Sequence, residues 1–132
     1  MEKKPRLLDK KKILISSNSM LNIKILDQSL KSIDEYDSIT ENNMVKFLAK
    51  AFIYEPKLAI IAHDSMFDNV EYAKHVRNNP DFIDLPIICI SNPLKKENLS
   101  IKRKIANLNI NYLTIPVNNS ELTKFIRQFL DN

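Results

Sequence analysis

Four short segments of this chain hold side chains that could do chemistry, and each closes a short apolar run: Ser16-Ser17-Asn18, Ala62-His63-Asp64, Ser91-Asn92 and Thr114-Ile115-Pro116. Most of these side chains are hydroxyls and amides, which exchange hydrogen bonds but are poor ligands for a hard cation. The ionisable exceptions are His63, Asp64 and, slightly further on, Asp68. A carboxylate can ligate a metal, and an imidazole with an ordinary pKa of about 6.5 can sense pH. Asp64, His63 and Asp68 are the set from which an unconventional metal site could be built. The alternative is that both carboxylates are solvated loop residues, Asp68 capping the next helix, and that His63 is simply exposed. His75 has no second ligand at useful spacing, and Cys89, inside an apolar run, reads as inert packing.

Composition removes many other chemistries. The 132 residues contain no glycine, where average usage gives about nine. Phosphate-cradling P-loops, dinucleotide-binding turns, nucleophile elbows and EF-hand loops all need glycine for tight turns or close backbone approach, so none is present in standard form. The single cysteine forms no disulfide framework. No apolar run is long enough to span a membrane, and the N-terminus carries no apolar stretch of the secretory type, so a cytoplasmic protein is expected. Of the net charge of +4, all of it falls in residues 1–12, where Lys3, Lys4, Arg6, Lys10, Lys11 and Lys12 face Glu2 and Asp9. Residues 1–11 thus read as a basic tail and 12–132 as one domain of ordinary size, whose charges balance from residue 13 onward.

The elements that must position these segments follow from apolar periodicity. Ile13-Leu14-Ile15, Leu58 to Ala62 and Pro86 to Ile90 are continuous apolar runs, the pattern of strands buried on both faces. Tyr36 to Thr40 alternates weakly and predicts a strand nearer an edge, and Tyr112 to Thr114 predicts a fifth. Between them run helical stripes: Ile23, Leu26, Leu30 and Ile33; then Met44, Phe47, Leu48, Ala51 and Phe52; then Val70, Ala73 and Val76 within 68–78. A less clean stripe, with Leu99, Ile101 and Ile105 inward, covers 95–107. Leu122, Phe125, Ile126, Phe129 and Leu130 close the chain, with Asn118 and Glu121 as an N-terminal cap pair. Five strands alternating with five helices predict an α/β fold, a doubly wound parallel sheet with helices on both faces. Ligands in such folds sit beyond the carboxyl ends of the strands, where the four polar segments lie.

Across residues 11–131 the chain resembles the receiver domain of response regulators. The resemblance rests on Lys-Ile-Leu-Ile at 12–15, Pro-Lys-Leu-Ala-Ile-Ile at 56–61, Leu-Pro-Ile-Ile-Cys-Ile-Ser at 85–91 and Asn-Tyr-Leu-Thr-Ile-Pro-Val at 111–117. It implies the flavodoxin-like strand order 2-1-3-4-5. It also implies a phosphorylation site whose pieces can be checked one by one. The acidic pair that holds Mg²⁺ falls on Ser17 and Asn18, the phospho-accepting aspartate on Ala62, and the phosphoryl-contacting lysine on Ile115. The hydroxyl that ends the fourth strand is kept as Ser91 and the aromatic switch partner as Tyr112. The bond before Pro116 is expected to be cis by the same resemblance. Alanine cannot form an aspartyl phosphate, isoleucine cannot neutralise phosphoryl charge, and the missing carboxylates leave Mg²⁺ without its hard ligands. These departures lead to the expectation of a degenerate pseudo-receiver without enzymatic activity, metal or other cofactor.

What remains is surface. The resemblance points to the face of the fourth helix, fifth strand and fifth helix, where Lys95, Lys96, Lys102, Arg103 and Lys104 with Tyr112 form a candidate docking face for an acidic protein partner or a second copy of the chain. Three readings follow: a phosphorylation-independent protein-interaction module, a receiver with Asp64 as displaced acceptor, and nucleic-acid contact through tail and fourth helix. The last is disfavoured by the neutral domain and the absence of interleaved aromatic residues.

Overall fold

A computed structural model of the protein describes residues 11–18, 20–30, 33, 35–92, 99–114 and 119–130. Strands β1 (Lys11–Ser16), β2 (Tyr36–Thr40), β3 (Leu58–Ile61), β4 (Ile87–Ser91) and β5 (Asn111–Thr114) alternate with helices α1 (Met20–Leu30), α2 (Met44–Tyr54), α3 (Met66–Arg77), α4 (Leu99–Asn107) and α5 (Asn119–Leu130). A 3₁₀ turn, Pro80–Phe82, precedes β4. All strands are parallel and their order is β2-β1-β3-β4-β5. This is the doubly wound sheet that the alternation predicts, with the weakly alternating Tyr36–Thr40 at one edge.

The uninterrupted apolar runs follow from this placement. Every residue of β3 and of β4 is buried, because helices cover both faces of the central strands. Successive side chains point to opposite faces, so Ile13, Ile15, Leu58, Ile60, Ala62, Ile88 and Ile90 pack against Leu26 and Leu30 of α1 and Leu122, Ile126 and Leu130 of α5. Leu14, Ala59, Ile61, Ile87 and Cys89 face α2, α3 and α4 through Phe47, Ala51, Val70, Ala73, Ile101 and Ile105. At the far end of α3, the Arg77 guanidinium donates to the carbonyls of Leu108 at 2.8 Å, Phe82 at 2.6 Å and Asn109 at 3.0 Å, fastening the turns before β4 and β5 to one another.

Three expectations about facing are corrected. Phe52 is not part of the inward stripe of α2: it is 66% exposed, and only Phe47 and Ala51 of that helix are fully buried. Leu99 also faces solvent, at the first turn of α4, whereas Ile101 and Ile105 are buried. Asp68 does not cap α3. The cap is Ser65, whose Oγ accepts from the Asp68 backbone N–H at 3.4 Å, leaving the Asp68 carboxylate in the first turn, where the helix dipole favours a negative charge.

Candidate functional site

Beyond the carboxyl ends of β1, β3 and β4, the segments singled out from the sequence converge. Ser17, fully buried, donates from Oγ to the Ala62 carbonyl at 2.7 Å. Asn18 accepts at Oδ1 from the Asp64 N–H at 3.1 Å. The positions that match the acidic pair, the acceptor and the candidate displaced acceptor therefore meet in space. Ser91 ends β4, buried, with its hydroxyl donating to the Asn92 carbonyl at 3.0 Å. Tyr112 pairs in register with Cys89 on β5 and is half-exposed. Ile115, Pro116 with its expected cis bond, Lys95 and Lys96 lie outside the described residues.

Around these positions runs a neutral polar network. Ser16 Oγ and His63 Nε2 share a hydrogen bond of 3.0 Å, and the His63 ring lies against Tyr72, centroids 5.2 Å apart. The Tyr72 hydroxyl donates to the Asn42 carbonyl at 3.3 Å, and the Asn42 amide oxygen accepts from the Ser17 N–H at 2.8 Å. Asn69, fully buried, completes the web: Oδ1 accepts from the His63 N–H at 2.8 Å and Nδ2 donates to the Ile90 carbonyl at 3.0 Å, joining β3 to β4. Among the described residues every buried side-chain nitrogen and oxygen has a hydrogen-bond partner.

His63 is thus a half-buried member of this web rather than a freely exposed loop residue. Burial pushes its pKa below the ordinary value, with Asp68 and Asp64 pulling the other way. Burial likewise raises the Tyr72 phenol, opposed by its hydrogen bond with Ser16. The Cys89 thiol is fully buried and pushed up to about 12 by desolvation, so it stays protonated and unreactive, as its apolar run implies.

β3 ends at Ile61, so Asp64 lies beyond the strand. Its residue is exposed and its backbone is held by Asn18. Ala62, in contrast, is buried in the core on the α1 and α5 side. A Mg²⁺ ion does not fit this donor set: position 62 ends in a methyl group, and Ser17 and Asn18 offer neutral oxygens in place of carboxylates.

On α4, Lys102 and Arg103 are exposed, but Lys104 turns towards α3, where its Nζ is 3.2 Å from Glu71 Oε1 and 5.8 Å from the Phe67 ring centroid. Sequence reasoning did not identify Asn42, Asn69 or Tyr72 as members of the site.

No protein-family model matches the chain, and no curated protein sequence does either. Solved structures do. The chemotaxis protein CheY4 of Vibrio cholerae superposes with a TM-score of 0.73 at 19% identity, covering 91% of this chain and 98% of that one. The signal receiver domain of a modulated diguanylate cyclase from Desulfovibrio desulfuricans gives 0.70 at 23% identity, covering 93% and 95%. The receiver domain of the sensor histidine kinase PA1611 from Pseudomonas aeruginosa, solved with magnesium coordinated in its active-site cleft, gives 0.71 at 12% identity, covering 93% and 99%. Over nearly its whole length the chain has the receiver fold.

Proposed function

We propose that this chain is a signalling module on the receiver fold that acts by phosphorylation-independent protein–protein interaction and catalyses no reaction of its own. The observation that carries the reading is the state of the pocket. Ser17, Asn18 and Ala62 stand together at the positions that the receiver resemblance gives to an acidic cluster, with no carboxylate side chain among them, and Ser17 and Asn18 hydrogen-bond to the Ala62 carbonyl and the Asp64 N–H. A site of this kind works by concentrating charge on a transferring phosphoryl group, and neutral, internally satisfied groups supply little of it. The partner is a protein, engaged through the face of α4, β5 and α5. In the described part of that face, Lys102 and Arg103 stand on α4, and Leu99 and Tyr112 present exposed apolar surface. Pairing with a second copy through the same face is the homodimeric form of this proposal.

A second reading has one observation in its favour. Asp64 is exposed and its backbone is tethered to Asn18, so a carboxylate does stand at the rim of the pocket. Amide NMR with Mg²⁺ and then beryllofluoride, a mimic of an aspartyl phosphate, separates the two. The expected result is no saturable shift at Ala62, His63, Asp64, Ser91 or Tyr112. Saturable shifts that spread to Tyr112 and α4 and disappear in Asp64→Asn would replace the first reading with a working switch whose acceptor has moved.

A further inference from the structure

Among the described residues, eight large hydrophobic side chains stay exposed, and four of them belong to α2: Val45, Phe52, Ile53 and Tyr54. This concentration comes from the sequence of the helix, which is apolar on two sides. Phe47 and Ala51 enter the core. Val45, exposed Ala49, Phe52 and Ile53 recur at i, i+4, i+7 and i+8, a second stripe that faces outward.

The stripe runs into a depression of about 840 Å³ at the end of the sheet opposite Ser17, Asn18 and Ala62, lined by residues that precede β3 and β4 and by Phe129 near the end of α5. Phe52, Ile53, Pro56, Phe82, Leu85 and Phe129 give it apolar walls. Its charged residues are Glu55, Asp81 and Asp84 against the single Lys57, all exposed. The charge there is net negative in a chain whose total is +4. An acidic rim around apolar walls repels nucleic acid and acidic proteins, and pairs with apolar side chains flanked by cations.

We propose that this groove docks a segment of a partner protein in which leucine- or phenylalanine-sized side chains are flanked by lysine or arginine. The apolar side chains occupy the depression and the stripe beside it, and the cations lie opposite Glu55, Asp81 and Asp84. The groove is remote from Ser17, Asn18 and Ala62, so the inference stands whether or not the pocket at the other end accepts a phosphoryl group.

The test is an amide NMR titration of the full chain with the synthetic peptide Lys-Lys-Ala-Leu-Leu-Lys-Ala-Phe-Lys-Lys. The expected result is saturable shifts at Phe52, Ile53, Glu55, Lys57 and 81–85. In the double substitution Asp81→Lys, Asp84→Lys, affinity falls by about tenfold or more, and Phe52→Ser weakens it as well. Both changes are at exposed positions, and the remaining amide spectrum reports that the fold is intact. A version of the peptide with glutamate in place of every lysine does not bind. Four outcomes overturn the proposal: no saturation by about 1 mM peptide, shifts that map elsewhere, equal binding of the acidic peptide, or affinity unchanged by the substitutions. A fifth also overturns it. If Lys3→Glu with Arg6→Glu shifts the groove amides without any peptide, the groove is already held by the chain's own N-terminal residues.

Discussion

His63 stands half out of solvent, and its ring and N–H have uncharged partners: Ser16 at Nε2, Tyr72 across the ring, and Asn69 at its N–H. The charged groups near it are Asp64 and Asp68, which partly offset the burial that holds its pKa below the ordinary 6.5. The folded state therefore binds the proton less readily than the unfolded chain. The stabilising contribution of neutral His63 is complete above about pH 6.5 and is lost as pH falls through that value towards the depressed folded pKa. We expect the urea midpoint to drop between pH 7 and pH 5, and the drop to shrink in His63→Gln, which keeps a polar group but does not titrate. An equal drop in both proteins would assign the acid sensitivity to other groups. How much of this was legible differs residue by residue. Ser17, Asn18, Ala62 and Ser91 could be placed because each stands at or just beyond the end of an apolar strand, and strand ends in a doubly wound sheet must converge. The network around them could not, because Asn42 arrives from the loop before α2, and the apolar stripe of α3 does not say which of its polar residues, here Asn69 and Tyr72, turn back to the strand ends. Asn69 did leave a trace: it falls on the apolar side of α3 beside Val70, where a buried amide needs partners.

Helices and strands were readable where burial is lopsided or complete, and less so where a helix has two apolar sides. On α2 the pattern alone cannot say which stripe faces the sheet: Phe52 fits the same apolar spacing as Phe47 but lies on the exposed stripe. On α4 the first two residues, Leu99 and Ser100, are exposed, and burial begins only at Ile101. The lack of glycine has a further consequence at helix ends. Among the described residues, two sit in the left-handed region, Glu55 at φ 47° as the C-cap of α2 and Asn109 at φ 52° after α4. Glycine would occupy such positions at no steric cost, and asparagine tolerates them better than residues with longer side chains. Glu55→Gly should therefore stabilise the protein by about 0.5–1 kcal/mol, the relief of the left-handed strain less the greater freedom of glycine in the unfolded chain. Asn109→Gly should be close to neutral. Urea unfolding of the two variants checks this, and a loss of stability in Glu55→Gly would mean that the side chain of Glu55 contributes more than its backbone costs.

The whole molecule is one sheet between two cores of different make. On one face, Leu26, Leu30, Leu122, Ile126 and Leu130 pack from the first and last helices of the chain. On the other, three consecutive helices pack through Phe47, Val70, Ala73, Val76, Ile101 and Ile105. The two cores share no helix, but they share the backbone of every central strand: Leu58 and Ile60 face one, Ala59 and Ile61 the other. Neither can come apart without removing one side of a strand whose other side is still buried, so the two should unfold together. The chain also closes on itself across that layer, since the Tyr36 hydroxyl of edge strand β2 donates to the Leu130 carbonyl at the end of α5 at 3.0 Å. Leu122→Ala, on the α5 side, should cost about 2–5 kcal/mol, and Phe47→Ala, on the α2 side, about 3–5 kcal/mol. Both side chains are essentially inaccessible to solvent, so each truncation leaves a cavity. Each variant should lower the midpoint of a single urea transition, with far-UV circular dichroism and tyrosine fluorescence tracing the same curve. The fluorescence reports both faces, because Tyr36 packs with the α1 and α5 core and Tyr72 with the other. If Leu122→Ala split the transition, with the fluorescence and dichroism midpoints drawing apart, the α1 and α5 layer would be a separately melting unit and the sheet would not be the common element that binds the two cores.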